Sequence, residues 1–270
     1  MIKNAEGKVI EVLGGINEAG VDMLSLIKQY ELPYKFPDEV VTEAKNYGDK
    51  IDPSDLPRRR DLRNDIIFTI DGEDAKDLDD AIHVEKLENG LTVMIVPKVG
   101  IRKKYVIWGT NYGSNDSKFI VPGETEAIEV PKGVAHFLEH KMFEQESGIN
   151  SLDTLTALGV EANAYTTNDH TAYLFECTEN FYLALDELMD YVQHPYFTDE
   201  NVEKEKGIIE QEIKMYNDDP EWNVFFNALK AMYVNHPTRI DIAGSVESIY
   251  KITKEELYKC YNTFYNPGNM

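Results

Sequence analysis

His136 and His140 stand four residues apart in the run "GVAHFLEHKMFE", with Glu139 between them, three residues after the first histidine. On a helix, a four-residue spacing puts two side chains on one face about one turn apart, so both imidazoles can reach a single ion. Glu139 borders that face. A carboxylate so placed can take the proton of a water whose pKa a zinc ion has lowered toward neutrality. The order His-Phe-Leu-Glu-His reverses the usual zincin motif. Such a hydrolytic site needs a third protein ligand and an open fourth position, and the third donor is best held on another rigid element. The run "EKEKGIIEQEI" offers carboxylates: Glu205 and Glu212 are two turns apart and share a helical face, whereas Glu210 faces elsewhere. Without the histidines, the same run reads as an acidic, solvated helix.

A second group of acids follows a short apolar run: Asp71, Asp77, Asp79 and Asp80 in "IDGEDAKDLDD". Carboxylates this close repel one another unless cations sit among them, and two divalent ions bridging a phosphate are one use of such a cluster. The pattern is not an EF-hand loop, because Ile82 stands where the sixth position requires glycine. A solvated acidic loop accounts for it equally well. The remaining histidines are not expected to bind metal: His194 and His236 each precede proline, His170 sits at a hairpin turn, and His83 is similar. Phe181, Tyr182, Phe225 and Phe226 read as core. Cys177 and Cys260 read as reduced, partly buried thiols.

Those groups must be held by elements that the pattern suggests. "GKVIEVL" alternates like a strand, "GVDMLSLIKQY" has helical apolar spacing, and "FPDEVVTEAKNYG" reads as a helix started by Pro and ended by Gly. "DPSDLPRRRDLRND" is polar and turn-rich, and "IIFTI" is a short buried strand. From Leu87 onward, "GLTVMIVPK" and "KKYVIWGTNYG" read as two strands paired with each other. "PKGVAHFLEHKMFE" reads as a helix and "GVEANAYTTNDHTAYLFECT" as a hairpin. Three amphipathic helices follow, in "NFYLALDELMDYVQ", "TDENVEKEKGIIEQEIKMYNDD" and "PEWNVFFNALKAMYVN". The expected class is α+β, a two-layer arrangement with helices segregated to one side of a sheet.

With 270 residues and 42% hydrophobic content, the chain is long and apolar enough to bury a core. A net charge of −22 shared along the chain argues against a sequence-independent grip on nucleic acid, which depends on Lys and Arg. No apolar run has the length of a membrane span, and "MIKNAEGKVIEVLGG" lacks the regions of a signal peptide. The expected location is cytoplasmic, with no membrane partner.

Over roughly residues 87 to 270, "GVAHFLEHKMFE", "ANAYTTNDHTAYLFECTENF", "HPYFTDENVEKEKGIIEQEI" and "FYNPGNM" resemble the N-terminal domain of the M16, or insulinase-like, peptidases in order and spacing. That resemblance implies His136, His140 and Glu212 as zinc ligands and Glu139 as general base. It makes Glu205 a carboxylate that orients His140 or its neighbours. It also implies Asn163, Ala164 and Tyr165 on an edge strand that binds an extended peptide by strand addition. Zinc-dependent peptide hydrolysis is the function implied, with a partner subunit supplying the second half that M16 enzymes use to close on substrate.

Residues 1 to about 88 resemble a different family. "GKVIEVLG", "GVDMLSLIKQYELPYKFPDEV" and "RRRDLRNDIIFTIDGEDAKDLDDAIHVEKLENG" are similar to RNase R/RNase II exoribonucleases where the cold-shock domain meets the catalytic domain. By that resemblance Asp71, Asp77, Asp79 and Asp80 match magnesium ligands. The rest of that catalytic domain and its basic tail are not in the sequence, so RNA is not an expected partner. "VEKLENG" reads as part of either family. The chain therefore reads as a mosaic: a partial nuclease segment over residues 1–86, and a peptidase domain over 87–270 that stops where another strand of its sheet would follow. The nuclease segment is expected to pack poorly, with "IIFTI" deprived of a sheet and Asp79 more than ~20 Å, roughly a small domain's diameter, from His140. An Mg²⁺-dependent exoribonuclease fragment and a non-enzymatic fusion are the alternatives.

Overall fold

The structure is a computed structural model that describes residues 7–15, 18–47, 53–54, 56–59, 61–62, 64–68, 82–98 and 100–270. It divides into two compact units, Met1–Leu62 and Arg63–Met270. In the first unit, α1 (Val21–Gln29) starts after Gly20 at φ 87°, and α2 (Asp38–Tyr47) follows Pro37. Both place acids in the first turn and lysine in the last, complementing the helix dipole. Both helices lie where periodicity puts them. The expected strand in "GKVIEVL" does not form: residues 7–13 carry no strand, and Val9, Ile10 and Val12 remain exposed. An alternating run becomes a strand only by pairing, and no strand lies beside it among the described residues of this unit. Leaving aside Tyr47 and Arg58, none of the unit's described residues is buried.

The second unit begins with an antiparallel sheet of β1 (Ile66–Phe68), β2 (Ile82–Lys86) and β3 (Thr92–Ile95), with β2 in the centre. Ile66 faces Val84, and Val84 faces Met94. Two expectations are corrected here. "IIFTI" has not lost its sheet, and "GLTVMIV" pairs with the strand before it, not with "KKYVIWG". The turn explains the second result: Gly90, at φ 94°, donates to Leu87 O at 2.9 Å, and Leu87 N–H donates to Leu91 O at 2.8 Å. A hairpin closed over so few residues costs less loop entropy than the longer connection from Ile95 to Lys104.

The next sheet is formed by β4 (Lys104–Thr110), β7 (Glu161–Thr166) and β8 (Thr171–Cys177), with β8 central and β4 and β7 at the edges. A separate ribbon pairs β5 (Lys118–Ile120) with β6 (Ala127–Glu129). The register across β4, β8 and β7 sorts the side chains into two faces. Val106, Trp108, Tyr173, Phe175, Ala162 and Ala164 share the inner face, while Tyr105, Ile107, Leu174, Asn163 and Tyr165 share the outer one. The inner face joins the core with α3 (Val134–Lys141), α4 (Ser151–Ala157), α5 (Phe181–Gln193) and α6 (Asp199–Asn217). It continues through α8 (Val246–Ile249) and α9 (Lys254–Phe264), whereas α7 (Pro220–Met232) buries only Phe226. The class is α+β. The three helices expected after the hairpin are α5, α6 and α7; α4, α8, α9 and the β5–β6 ribbon are additional.

Two of the aromatic residues expected in the core are outside it. Tyr182 is 77% exposed and Phe225 57%, whereas Phe226 is buried and Phe181 packs partly against the core. Ala184, Leu188, Tyr191 and Val192 turn one stripe of α5 inward, which leaves Tyr182 on another side. Beyond α9, Thr110 Oγ1 donates to Phe264 O at 2.9 Å and Asn111 N–H donates to Asn269 O at 3.1 Å. These bonds tie the final residues to the end of β4.

Candidate metal centre

α3 starts abruptly at Gly133, whose φ of 90° suits glycine, and a Cβ there would meet Ala243 O at 2.3 Å. The close approach fixes the start of α3 against the segment before α8. Val134, Ala135, Phe137 and Leu138 anchor the helix in the core. This leaves His136, Glu139 and His140 along one side. α6 begins with a reciprocal cap, in which Thr198 accepts from Asn201 N–H and the Asn201 side chain accepts from Thr198 N–H. Its buried stripe of Val202, Glu205, Ile209 and Ile213 rolls it toward α3 and brings Glu212 to the rim.

The two helices meet through their polar groups. His136 Nε2 lies 3.6 Å from Glu212 Oε1, and His140 Nε2 lies 3.5 Å from Glu212 Oε2. One ligand atom from each of these three residues falls within 4.8 Å of the others, the one such group of three found among the described residues. Separations of 3.5 and 3.6 Å are long for hydrogen bonds. Each imidazole faces a different oxygen of Glu212, and donors within 4.8 Å of one another can close on one ion held about 2.0 Å from each with small side-chain movements. Two imidazoles and a carboxylate are also a zinc donor set. The residues therefore fit a zinc ion.

The surroundings shift the protonation of these groups in different directions. Burial, with help from neighbouring His140, lowers the His136 pKa to about 3, so its ring stays neutral and keeps a lone pair for a cation. Its Nδ1 is buried without a hydrogen-bond partner. Burial also acts downward on His140, but the Glu205 hydrogen bond and the charges of Glu139, Glu205 and Glu212 raise it overall. Glu205 Oε1 lies 3.0 Å from His140 Nδ1 and so fixes the ring with Nε2 turned to Glu212. For Glu205 itself, burial acts upward and is outweighed by His140 and Lys141, which hold the carboxyl below its ordinary range. Burial raises both Glu139 and Glu212.

Glu139 has a partner that sequence reasoning missed. Thr166, at the end of β7, donates its hydroxyl to Glu139 Oε2 at 2.6 Å and lies 3.2 Å from the Thr171 hydroxyl. The signal was present in the strand alternation, since Thr166 falls on the inner face with Ala164, while Asn163 and Tyr165 turn outward. All three predicted peptide-contacting residues lie on β7, an edge strand. Lys141 was also missed: it is 1% exposed and contacts Glu144 and Glu205.

The other four histidines do not join this centre. His83 pairs with Asp65, His170 with Asp169, and His194 with Asp190, while the His236 ring caps a short 3₁₀ turn. Asp71, Asp77, Asp79 and Asp80 lie outside the described residues, as does the expected separation of Asp79 from His140.

Comparison with known proteins follows the same division. Residues 120–245 match the family described as Insulinase (Peptidase family M16), residues 2–37 match the cold shock domain, and residues 59–100 match the RNB domain. The chain is 51% identical over 193 residues to the uncharacterized zinc protease YmfH of Bacillus subtilis, a match covering 72% of this chain and 45% of that protein. It is 50% identical over 90 residues to ribonuclease R of Thermotoga maritima, covering 33% of this chain and 13% of that one. An M16-like peptidase structure from Alicyclobacillus acidocaldarius superposes with a TM-score of 0.67 at 47% identity, covering 72% of this chain and 45% of that one. The chain thus spans less than half the length of each of these relatives. It is a mosaic in which an M16 peptidase-like region follows a short segment similar to ribonuclease R.

Proposed function

We propose that residues 87–270 are a zinc-binding half of a peptidase, and that the approach of His136, His140 and Glu212 donors from two helices is the observation that carries this reading. These three residues would hold the ion, and zinc would supply Lewis acidity toward a peptide carbonyl and a lowered pKa for water. Glu139 takes the proton of the attacking water, and its burial, which raises its pKa, favours retention of that proton until the leaving amine needs it. Thr166 occupies Glu139 Oε2, so the other oxygen receives the proton. Glu205 keeps His140 turned toward the ion.

The β7 edge suits an extended peptide running along Asn163, Ala164 and Tyr165. Ala164 N–H now donates to the Asn163 side chain at 2.9 Å, and an arriving peptide carbonyl would replace that bond. A second half from a partner subunit would cover this open edge. The support for such a partner is the share of relatives that this chain spans. Cytoplasmic placement rests on the two free, buried cysteines, Cys177 and Cys260. No helix among the described residues is long and apolar enough to cross a membrane. The exoribonuclease alternative draws only on a segment matching 13% of ribonuclease R.

Metal analysis tests the centre independently of hydrolysis. Purified protein should carry close to one zinc per chain and lose it in His140→Ala; a folded protein without zinc defeats the ligand assignment. Glu139→Gln should keep zinc and lose peptide hydrolysis by about 10²-fold or more. Undiminished cleavage by that variant removes Glu139 as the base.

A further inference from the structure

Lys141 has no role in the proposed chemistry, yet it is 1% exposed, and an ammonium group this deep is costly without compensation. Its Nζ contacts the carboxylate of Glu144, three residues on and just past the end of α3, and lies 3.7 Å from Glu205 Oε2. Glu205 uses its other oxygen, Oε1, for His140 Nδ1. The lysine and the histidine therefore grip opposite oxygens of one carboxylate. The same pocket places Glu139 and Glu205 in electrostatic contact with Glu212, so three carboxylates converge where a cation is proposed to sit. Lys206 is buried as well, at 5%, but its partner Glu203 has a side chain 66% exposed, whereas Lys141 also reaches the largely buried Glu205.

We propose that Lys141 is an internal counter-ion and positioning residue: it clamps Glu205 for His140 and allows the carboxylate-rich centre to fold before a metal arrives. The inference rests on the zinc reading above. Its consequence falls on Glu205 and not on Glu144, because the Glu144 side chain is 32% exposed and can turn to water, whereas that of Glu205 is 11% exposed and cannot. Replacing Lys141 by an uncharged residue of similar length leaves Glu205 without its second partner. Bound zinc returns positive charge to the same pocket, so the damage should be concentrated in the metal-free protein. A lysine that merely filled space would lower both forms equally.

The test is thermal unfolding of the full chain after chelation and again with one equivalent of Zn²⁺, for the parent, Lys141→Met and Lys141→Met/Glu205→Gln. The metal-free Tm of Lys141→Met should fall by roughly 10 °C, and zinc should raise its Tm more than it raises the parent's. The double variant, which removes both charges, should recover most of the metal-free loss. Equal losses with and without zinc, or no recovery in the double variant, overturn the inference while leaving the zinc site intact. A parent whose Tm ignores zinc, and which binds none, overturns the zinc reading and this inference with it. Should Lys141→Met fold in neither condition, the double variant decides: a folded double variant supports the counter-ion role, and an unfolded one refutes it.

Discussion

α1 in the N-terminal unit and α3 in the second are built from similar local instructions. Each is short, and each is entered through a glycine at positive φ, 87° at Gly20 and 90° at Gly133. Yet α1 buries none of its residues, while α3 buries Val134, Ala135, Phe137, Leu138, Glu139 and Lys141. Around Gly20 a Cβ would meet nothing within 4 Å; at Gly133 it would meet backbone at 2.3 Å. The difference shows that helical pattern does not by itself provide stability. Short helices are marginal in water until an apolar face is buried, and a catalytic geometry needs the rigidity that burial supplies.

This comparison can be broken most directly by amide hydrogen exchange. Helices α3 and α5 should exchange only through large openings, and at least about a thousandfold more slowly than α1, which has no buried residue to protect it. Equal protection in the two units would remove the contrast. A smaller effect should follow from side-chain truncation. Leu138→Ala, at a position with 0% exposure, should cost about 2–5 kcal/mol in denaturant unfolding. Leu26→Ala, where the leucine is 50% exposed, should change stability by no more than about 0.5 kcal/mol. The two glycines sharpen the point further. Gly133→Ala should combine left-handed strain with a backbone clash, for a loss of about 2–5 kcal/mol, whereas Gly20→Ala should cost only about 1–2 kcal/mol and only in local helicity. Circular dichroism through the unfolding transition distinguishes the two.

Much of the centre is legible in the residue spacing. His136 and His140 are spaced to put two imidazoles on one side of a helix, and the seven-residue spacing of Glu205 and Glu212 puts both carboxylates on one face of another. The different duties of the two carboxylates are not legible from spacing, because a shared face does not state depth. In the structure the Glu205 side chain is 11% exposed behind His140, and that of Glu212 is 24% exposed in front of both Nε2 atoms. Thr166 and Lys141 are hidden in the sequence for a related reason. A threonine in a strand and a lysine in a helix are ordinary surface residues until a neighbouring element covers them.

Strand pairing followed the same rule. Alternation in "GLTVMIV" announces a strand but names no partner, and the short Leu87–Leu91 turn decided in favour of β2. The sequence by itself determined the two resemblances, the helices α3, α5, α6 and α7 and the β7–β8 hairpin of the second unit, and the types of ligand available. Only the tertiary structure decided which of those strands pair, which exposed pattern remains without a core, and which carboxylate faces the two Nε2 atoms and which faces Nδ1 of His140. The physical reason is that periodicity is a property of one element, whereas burial, and the charge pairing that burial enforces, depends on the elements packed against it.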